Sequence, residues 1–397
     1  MFVATSLAII LTLNSFGRAE ALVARLGDPS YAIRERVGAE LIQLARCALP
    51  ALRRGLNHRD WEIAERCKRL IPAAEVECAR QRVARLGEIA KADPSLPVPF
   101  DEFLLRRFLI VTGDTRAARE LFVEMYKEHG RILDVVESSN PREGGQEFWN
   151  YVDAVLMYPD GRTTVNLSNL TFNRVDLAAF WFLSADPMLR PTRCVNVARE
   201  DFPYYFPKHA AGHLDGPEAI PEMKRLFVAW LAGPRNIEDA DADWRMLATG
   251  FQLAAGARLK EARPAALRIA LDPKQGNKAR AAALRTLFEI GGPFEIGGPE
   301  DVEKLARLIA NDDVVFRPSG IRDPALKVVV GDLALAACIR ISGRNLADFG
   351  FPNARQTESE PSNVAHYGFR NDSDRAAARK KWADANVART TVTGGKR

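Results

Sequence analysis

Two histidines offer the clearest metal-binding chemistry in this sequence. His209 and His213 lie four residues apart in the segment KHAAGH. On a helix the two imidazoles would face the same way and bind one zinc ion, with Asp201 or Asp215 as a third ligand. The residue after His209 is Ala210, whereas the HExxH motif of metalloproteases needs a glutamate there. We interpret the pair as loop histidines, with metal binding as the alternative, and expect no cofactor.

Aromatic side chains cluster just before this pair. Residues 202–206 read Phe-Pro-Tyr-Tyr-Phe, and prolines stand at 203 and 207. Exposed aromatic residues dominate protein-binding hot spots, so Tyr204 and Tyr205 are the candidate protein-binding residues. The preferred interpretation is that this loop packs onto the helices as a plug.

Complete catalytic motifs are absent from the sequence. It has no GxSxG and no SxxK segment, and its five cysteines form no CxxC pair. Abundant carboxylates make some acidic pair inevitable, so they do not by themselves indicate a glycosidase. We therefore assign no catalytic residue.

The elements that must position these residues are predicted to be helices. Amphipathic segments of helical period are bounded by Asp, Asn, Pro or Gly, and alternation of strand type is rare. In the segment 100–111, we expect Phe103, Leu104, Phe108 and Val111 to form one apolar face. The other predicted helices are 30–44, 48–56, 61–71, 115–128, 145–157, 174–185, 218–232, 242–257, 265–270, 278–290, 300–309 and 373–386. The fold class is all-α.

Two blocks of the chain resemble HEAT repeats. In 265–313 a short helix, Asp-Pro, an Ala-rich helix, Gly-Gly and a second helix follow one another, and 28–71 is similar. Further on, DLALAA (332–337), SG (342–343), DFGF (348–351), YGF (367–369) and a helix with Trp382 resemble exported HEAT-repeat proteins of planctomycete-type bacteria. The resemblance implies an armadillo-type solenoid of helical hairpins and export. It brings no catalytic residue.

The first residues have the pattern of a signal peptide. An apolar run covers 2–13, and small residues follow at the spacing that a signal peptidase accepts, which predicts cleavage after Ala19 or Ala21. About 12 apolar residues are too few to span a bilayer in the usual way. We expect export to the periplasm or cell envelope, with anchoring if the signal is not cleaved.

Composition limits the class of partner. The chain has 397 residues, of which 47% are hydrophobic and 27% charged, and this composition excludes a disordered chain. Its net charge of +5 gives no reason to expect binding of nucleic acid. The stretch 355–397 has nine basic and five acidic residues. Membrane contact is expected only through this basic tail or the N-terminal segment.

These observations predict four regions. They are a signal peptide (1–19), N-terminal HEAT-like hairpins (20–90), a continuing helical array (100–345) with an irregular insertion at 187–215, and a C-terminal loop, helix and tail (346–397). Solenoids present extended surfaces to other proteins. We expect a non-enzymatic scaffold that binds another protein, and the alternative is a metal-dependent enzyme with its site on the insertion.

Overall fold

The computed structural model describes residues 17–138, 172–185, 210–217, 219–233, 240–290, 299–317, 325–359 and 363–393. These residues are predominantly α-helical, which confirms the all-α prediction. The chain forms two compact units, unit 1 (residues 1–99 and 119–130) and unit 2 (residues 100–118 and 131–397). No described helix is both long and apolar enough to cross a lipid bilayer.

Unit 1 contains four helices near the start of the chain. Its helices are α1 (residues 17–24), α2 (Tyr31–Leu44), α3 (Leu49–Gly55) and α4 (Trp61–Lys91). Arg34 near the start of α2 pairs with Glu62 near the start of α4. Further along the two helices, Gln81 of α4 donates to the carbonyl of Gln43 of α2. The two helices therefore run in the same direction. Side chains from all four helices, Leu22 and Leu41 among them, are buried in one apolar core.

The long helix α4 differs from the sequence prediction. The sequence predicted a helix over 61–71, but α4 continues through Pro72 to Lys91. A proline inside a helix costs about 3 kcal/mol, because it removes one hydrogen bond and crowds the preceding turn. Ala74, Leu86 and Ala90 are buried beyond the proline, and burial of these side chains offsets that cost.

Unit 2 contains the remaining elements and a short sheet. Its helices are α5 (Phe103–Thr112), α6 (Arg116–Ser138, with residues 119–130 counted in unit 1), α7 (Arg174–Ala185), α8 (residues 210–215), α9 (Pro221–Ala232), α10 (Ala240–Gly256), α11 (Arg263–Leu271), α12 (Asn277–Ile290), α13 (Pro299–Ala306), α14 (Val330–Ile341), α15 (Ala354–Ser359) and α16 (Asp372–Thr393). The strands β1 (Val314–Phe316) and β2 (Val328–Val329) pair antiparallel, with Val314 opposite Val329.

Short turns of 3₁₀ helix join several of these elements. They lie at Arg25–Gly27, Ala45–Cys47, Lys260–Ala262, Leu346–Phe349 and Val364–Tyr367.

Most helix contacts in unit 2 join neighbours along the chain, and the contact between α9 and α5 is long-range. The helix α9 contacts α5, α7 and α11, α12 contacts α10, α11 and α14, and α14 contacts α13 and α16. The helix α7 is buried from Leu177 to Leu183, as its all-round apolar sequence predicts. Trp181 packs edge-on against Phe227 of α9, with ring centroids 5.1 Å apart.

Arginines repeatedly cap the C-terminal ends of helices in unit 2. Arg225 of α9 donates to the carbonyl of Thr112, the last residue of α5, and Arg268 of α11 donates to that of Ala232, the last residue of α9. Arg280 of α12 donates to the carbonyl of Ala270 in the last turn of α11, with N···O 3.1 Å. Because the last four carbonyls of a helix have no partner inside it, each arginine satisfies a group that would otherwise need water.

Candidate functional site

The histidine and tyrosine candidates are only partly described by the structure. Tyr204, Tyr205 and His209 lie outside the described residues. His213 lies on α8, where it is partly buried, and Asp215 at the end of the same helix is exposed. Metal binding by His209 and His213, which was the alternative interpretation, and the plug formed by the tyrosines therefore stay predictions.

A different candidate surface lies on α5, where large apolar side chains face outward. We call Phe100, Phe103, Arg106, Arg107 and Ile110 the outer face of α5. Phe100, Phe103 and Ile110 are 85%, 56% and 83% exposed. Residues 103, 107 and 110 have the i, i+4, i+7 spacing of one helix face. Isolated exposed hydrophobic residues are common, but a group on one face indicates an interaction surface.

The inner face of α5, opposite the outer face, is buried and fixes the position of the helix. Leu104, Leu105, Phe108, Leu109 and Thr112 are all buried. Phe108 packs edge-on against Phe182 of α7, with ring centroids 5.2 Å apart. The outer face therefore belongs to a helix whose opposite side is part of the core of unit 2.

This arrangement corrects one sequence prediction. Phe103 was expected on the same apolar face as Leu104 and Phe108, but it is more than half exposed, and Val111 is only partly buried. The physical reason is that α5 reads FLLRRFLIVT, with apolar residues at most positions. Such a helix has more than one apolar face, and only the packing of its neighbours decides which face is buried.

The C-terminal end of α5 is fixed to α9 by polar contacts. Arg225 donates to the carbonyl of Thr112, and the Thr115 hydroxyl donates to Oε1 of the buried Glu222 at 2.8 Å. Gly113 lies between them with φ +81°, a conformation that favours glycine. A Cβ atom at Gly113 would lie 2.7 Å from Nη1 of Arg225, so a larger residue there would displace the arginine.

Two arginines stack on the aromatic rings of the outer face. The guanidinium of Arg106 lies over the ring of Phe100 at 5.2 Å, and that of Arg107 lies over Phe103 at 5.4 Å. Burial of Arg107 lowers the pKa of its guanidinium, which stays charged at any ordinary pH. The helix carries no acidic residue, since its sequence is FLLRRFLIVT. The outer face of α5 is therefore both apolar and positively charged.

Exposed aromatic residues also occur in unit 1, but among charges of both signs. Tyr31 and Trp61 are the first residues of α2 and α4, and both are mostly exposed. Beside them Arg34 pairs with Glu62 at 3.2 Å. This surface lacks the single sign of charge that the outer face of α5 shows.

A buried ion pair joins α14 to α16. Nε of Arg375 donates to Oδ1 of Asp332 at 2.9 Å, and both side chains are buried, with exposed fractions of 3% and 0%. Oδ2 of Asp332 accepts from the backbone N–H of Val329 at 3.1 Å. The other two guanidinium nitrogens donate to Asp372 and to the carbonyl of Lys327. Because every polar atom of the pair has a partner inside the fold, we interpret it as structural.

Burial dominates the protonation of groups on α14. It raises the pKa of Asp332 to about 6, although Arg375 acts in the opposite direction. It also raises the pKa of the Cys338 thiol to about 12. Since the thiolate is the reactive form of cysteine, Cys338 is unreactive at neutral pH.

The chain matches no family model, and comparisons with curated proteins and with solved structures give no significant match.

Proposed function

We propose that this chain is an exported, non-enzymatic helical-repeat protein that binds another protein through the outer face of α5. The single observation that carries the proposal is the group of three exposed hydrophobic side chains, Phe100, Phe103 and Ile110, on and beside one anchored helix.

The spacing of these residues suits a helix that docks into a groove. Helices bound in grooves use anchors at i, i+3 or i+4 and i+7, and Phe103, Arg107 and Ile110 have that spacing. Burying one such phenylalanine or isoleucine contributes about 1.5–3 kcal/mol. Since α5 is already fixed by α9, binding would not have to order the helix, which lowers the entropic cost.

The arginine caps in unit 2 support a repeated helical unit. Arg225, Arg268 and Arg280 each lie on a helix that packs against the one whose C-terminal end they cap. In a HEAT-type array each repeat mainly contacts its neighbours, and the α9–α11 and α11–α12 contacts at Arg268 and Arg280 are of this short-range kind. The contact of Arg225 joins α9 to the distant α5.

Export would shorten α1 but keep most of the core of unit 1. Cleavage after Ala19 or Ala21 removes the buried Ala19, whereas Leu22, Val23 and Leu26, all of them buried, stay in the mature chain. These side chains would continue to pack against α2 and α3 after processing.

The test is affinity capture from the native cell envelope with two matched variants. Ile110→Asp places a charge on the outer face of α5, and Val76→Asp places one at a similarly exposed position on α4. We expect one stoichiometric protein partner with the wild type and with Val76→Asp, and its loss with Ile110→Asp. Circular dichroism of each variant checks that the fold is kept.

Two outcomes would contradict the proposal. A partner that binds Ile110→Asp as well as the wild type would place the binding surface elsewhere. One equivalent of zinc in elemental analysis of the same samples would favour the metal-dependent enzyme of the 187–215 segment.

A further inference from the structure

We infer that folding of unit 1 closes the predicted signal-peptidase site, so that the chain is cut after Ala19 or Ala21 only while α1 is unfolded. This inference rests on the export in the proposed function, and it specifies how the processing of the exported chain is controlled.

The first argument is the conformation of the predicted site. Signal peptidases recognise small side chains two residues apart, here Gly17 and Ala19 or Ala19 and Ala21. Two such residues point to the same side only in an extended strand, whereas on a helix they lie about 200° apart. In α1, Gly17 and Ala21 are exposed and Ala19 is completely buried. The folded helix therefore presents neither pair to a protease.

The second argument is that α1 packs into the core of unit 1. Ala19 begins a buried face that continues at i+3, i+4 and i+7 along the chain. Its other members are Leu22, Val23 and Leu26, and they share one apolar core with side chains of α2 and α3. A Cβ atom on Gly55 of α3 would lie 3.2 Å from Cγ1 of Val23, so α1 and α3 are in close contact. Exposing the site therefore requires removal of this face from the core.

The third argument is that ion pairs lie on both sides of Ala19. Arg18 pairs with Glu40 of α2, and Glu20 pairs with Arg54 of α3. The residues that flank the buried alanine are therefore bound to two different helices of the same unit. Because cutting at either predicted position would remove Arg18 and the alanine, the complete helix α1 belongs to the uncut chain.

These contacts make processing and folding compete. Proteolysis of a structured segment requires that the segment opens first, and its rate falls with the population of the open form. A chain that is cut before unit 1 folds loses the apolar run at 2–13. A chain whose unit 1 folds first keeps this run and stays anchored.

The experiment follows cutting of the full chain by a purified bacterial signal peptidase in detergent micelles, with intact mass spectrometry as the readout. A synthetic peptide of residues 1–30 is the unfolded substrate with the same sequence around the site. We expect the peptide to be cut after Ala19 or Ala21, and the full chain to be cut at least about tenfold more slowly.

Two matched variants place a charge in unit 1 without changing the site. Leu52 is completely buried in the same core as α1, whereas Val76 is exposed on α4. Leu52→Asp should open α1 and bring the cutting rate of the full chain close to that of the peptide, and Val76→Asp should leave it slow. Circular dichroism in the same micelles measures the helix that each variant keeps. Resistance of Leu52→Asp equal to that of the wild type, despite a loss of helix, would overturn the inference.

The peptide separates this inference from the proposed function. If the wild-type chain is cut as fast as the peptide, the inference is wrong and the export in the proposed function is kept. If the peptide itself is not cut, folding has no site to close, and both the inference and the predicted signal are wrong. Binding of a protein through α5 is tested independently by Ile110→Asp.

Discussion

Arginine has different partners in the α1–α4 region of unit 1 and in the α9–α16 region of unit 2. In α1–α4 several arginines pair with glutamates, as in Arg53–Glu75, where both side chains are at least half exposed. In α9–α16, Arg268, Arg280 and Arg375 donate to backbone carbonyls or aspartates, and Arg280 and Arg375 are almost completely buried. Arg307, by contrast, forms an exposed pair with Glu303. Arginine therefore forms exposed ion pairs in α1–α4, whereas in α9–α16 buried arginines join one helix to another.

The energetic consequence follows from solvent. Exposed ion pairs contribute about 0–1 kcal/mol, because water and salt screen them and two long side chains lose freedom. Removing one partner of a buried pair costs about 3–5 kcal/mol, since the remaining charge has no water to solvate it. The comparison predicts that arginine substitutions differ several-fold in effect between the two regions.

The largest effect is expected at Arg375. Replacing it with leucine leaves the carboxylate of Asp332 buried with one hydrogen bond, and it also frees Asp372 and the carbonyl of Lys327. We expect Arg375→Leu to lower the free energy of unfolding by about 3–5 kcal/mol, measured by urea denaturation followed by circular dichroism. Lys380→Leu, an exposed position on the same helix, is the control and should change it little.

A loss below about 1 kcal/mol in Arg375→Leu would break the comparison, because it would make this pair equivalent to a surface pair. The double variant Asp332→Asn/Arg375→Leu sharpens the measurement. Since it leaves no uncompensated charge, it should be less destabilised than the sum of the two single variants.

A smaller effect is expected at Arg280. Methionine has a similar length but no donor, so Arg280→Met leaves the carbonyl of Ala270 without its side-chain partner at the end of α11. We expect a loss of about 1–3 kcal/mol in the free energy of unfolding, again from urea denaturation. Arg307→Met, which removes an exposed arginine of unit 2 beside Glu303, should cost less than about 1 kcal/mol. Equal losses in the two variants would show that the cap does not stabilise α11.

The pH dependence of stability tests whether burial or the ion pair with Arg375 dominates the pKa of Asp332. The pKa of Asp332 is raised to about 6 in the fold, so between the ordinary aspartate pKa and pH 6 the folded chain holds a proton that the unfolded chain has lost. The stability from this group is therefore present at low pH and is lost as the pH rises through 6. We expect the wild type to lose about 1 kcal/mol between pH 5 and pH 7 relative to Asp332→Asn, as measured by urea midpoints. The same pH dependence in both proteins would contradict the raised pKa.

Two helices, α7 and α4, show what the sequence can predict. The bounds of α7, Arg174–Ala185, agree with the prediction, because Asn173 caps a segment that is apolar on all sides. The predicted end of α4 was wrong, because local rules for Pro72 carry no information about the burial of Ala74 and Leu86 later in the helix. Where local signals and packing agree, the sequence is sufficient.

The candidate site was not predictable in the same way. The outer face of α5 depends on which side of a mostly apolar helix α9 covers, and that contact joins segments about a hundred residues apart, as in Thr115–Glu222, separated by 107 residues. Asp332 and Arg375 are separated by 43 residues and have no shared motif. The sequence identified the residue types, whereas only the tertiary contacts show which of them are buried, paired or left exposed.

The smallest effect is expected for the exposed pairs of α1–α4. Glu75→Gln keeps the shape of the side chain and removes its charge, so the pair with Arg53 loses only its screened attraction. We expect the free energy of unfolding to fall by less than about 1 kcal/mol at low salt, and the difference from wild type to shrink further in about 1 M NaCl, where the screening length is about 3 Å. Urea denaturation at the two salt concentrations measures this. A loss as large as that of Arg375→Leu would mean that the exposed arginine pairs of α1–α4 stabilise the fold as strongly as the buried arginines of α9–α16. The distinction between the two regions would then be wrong.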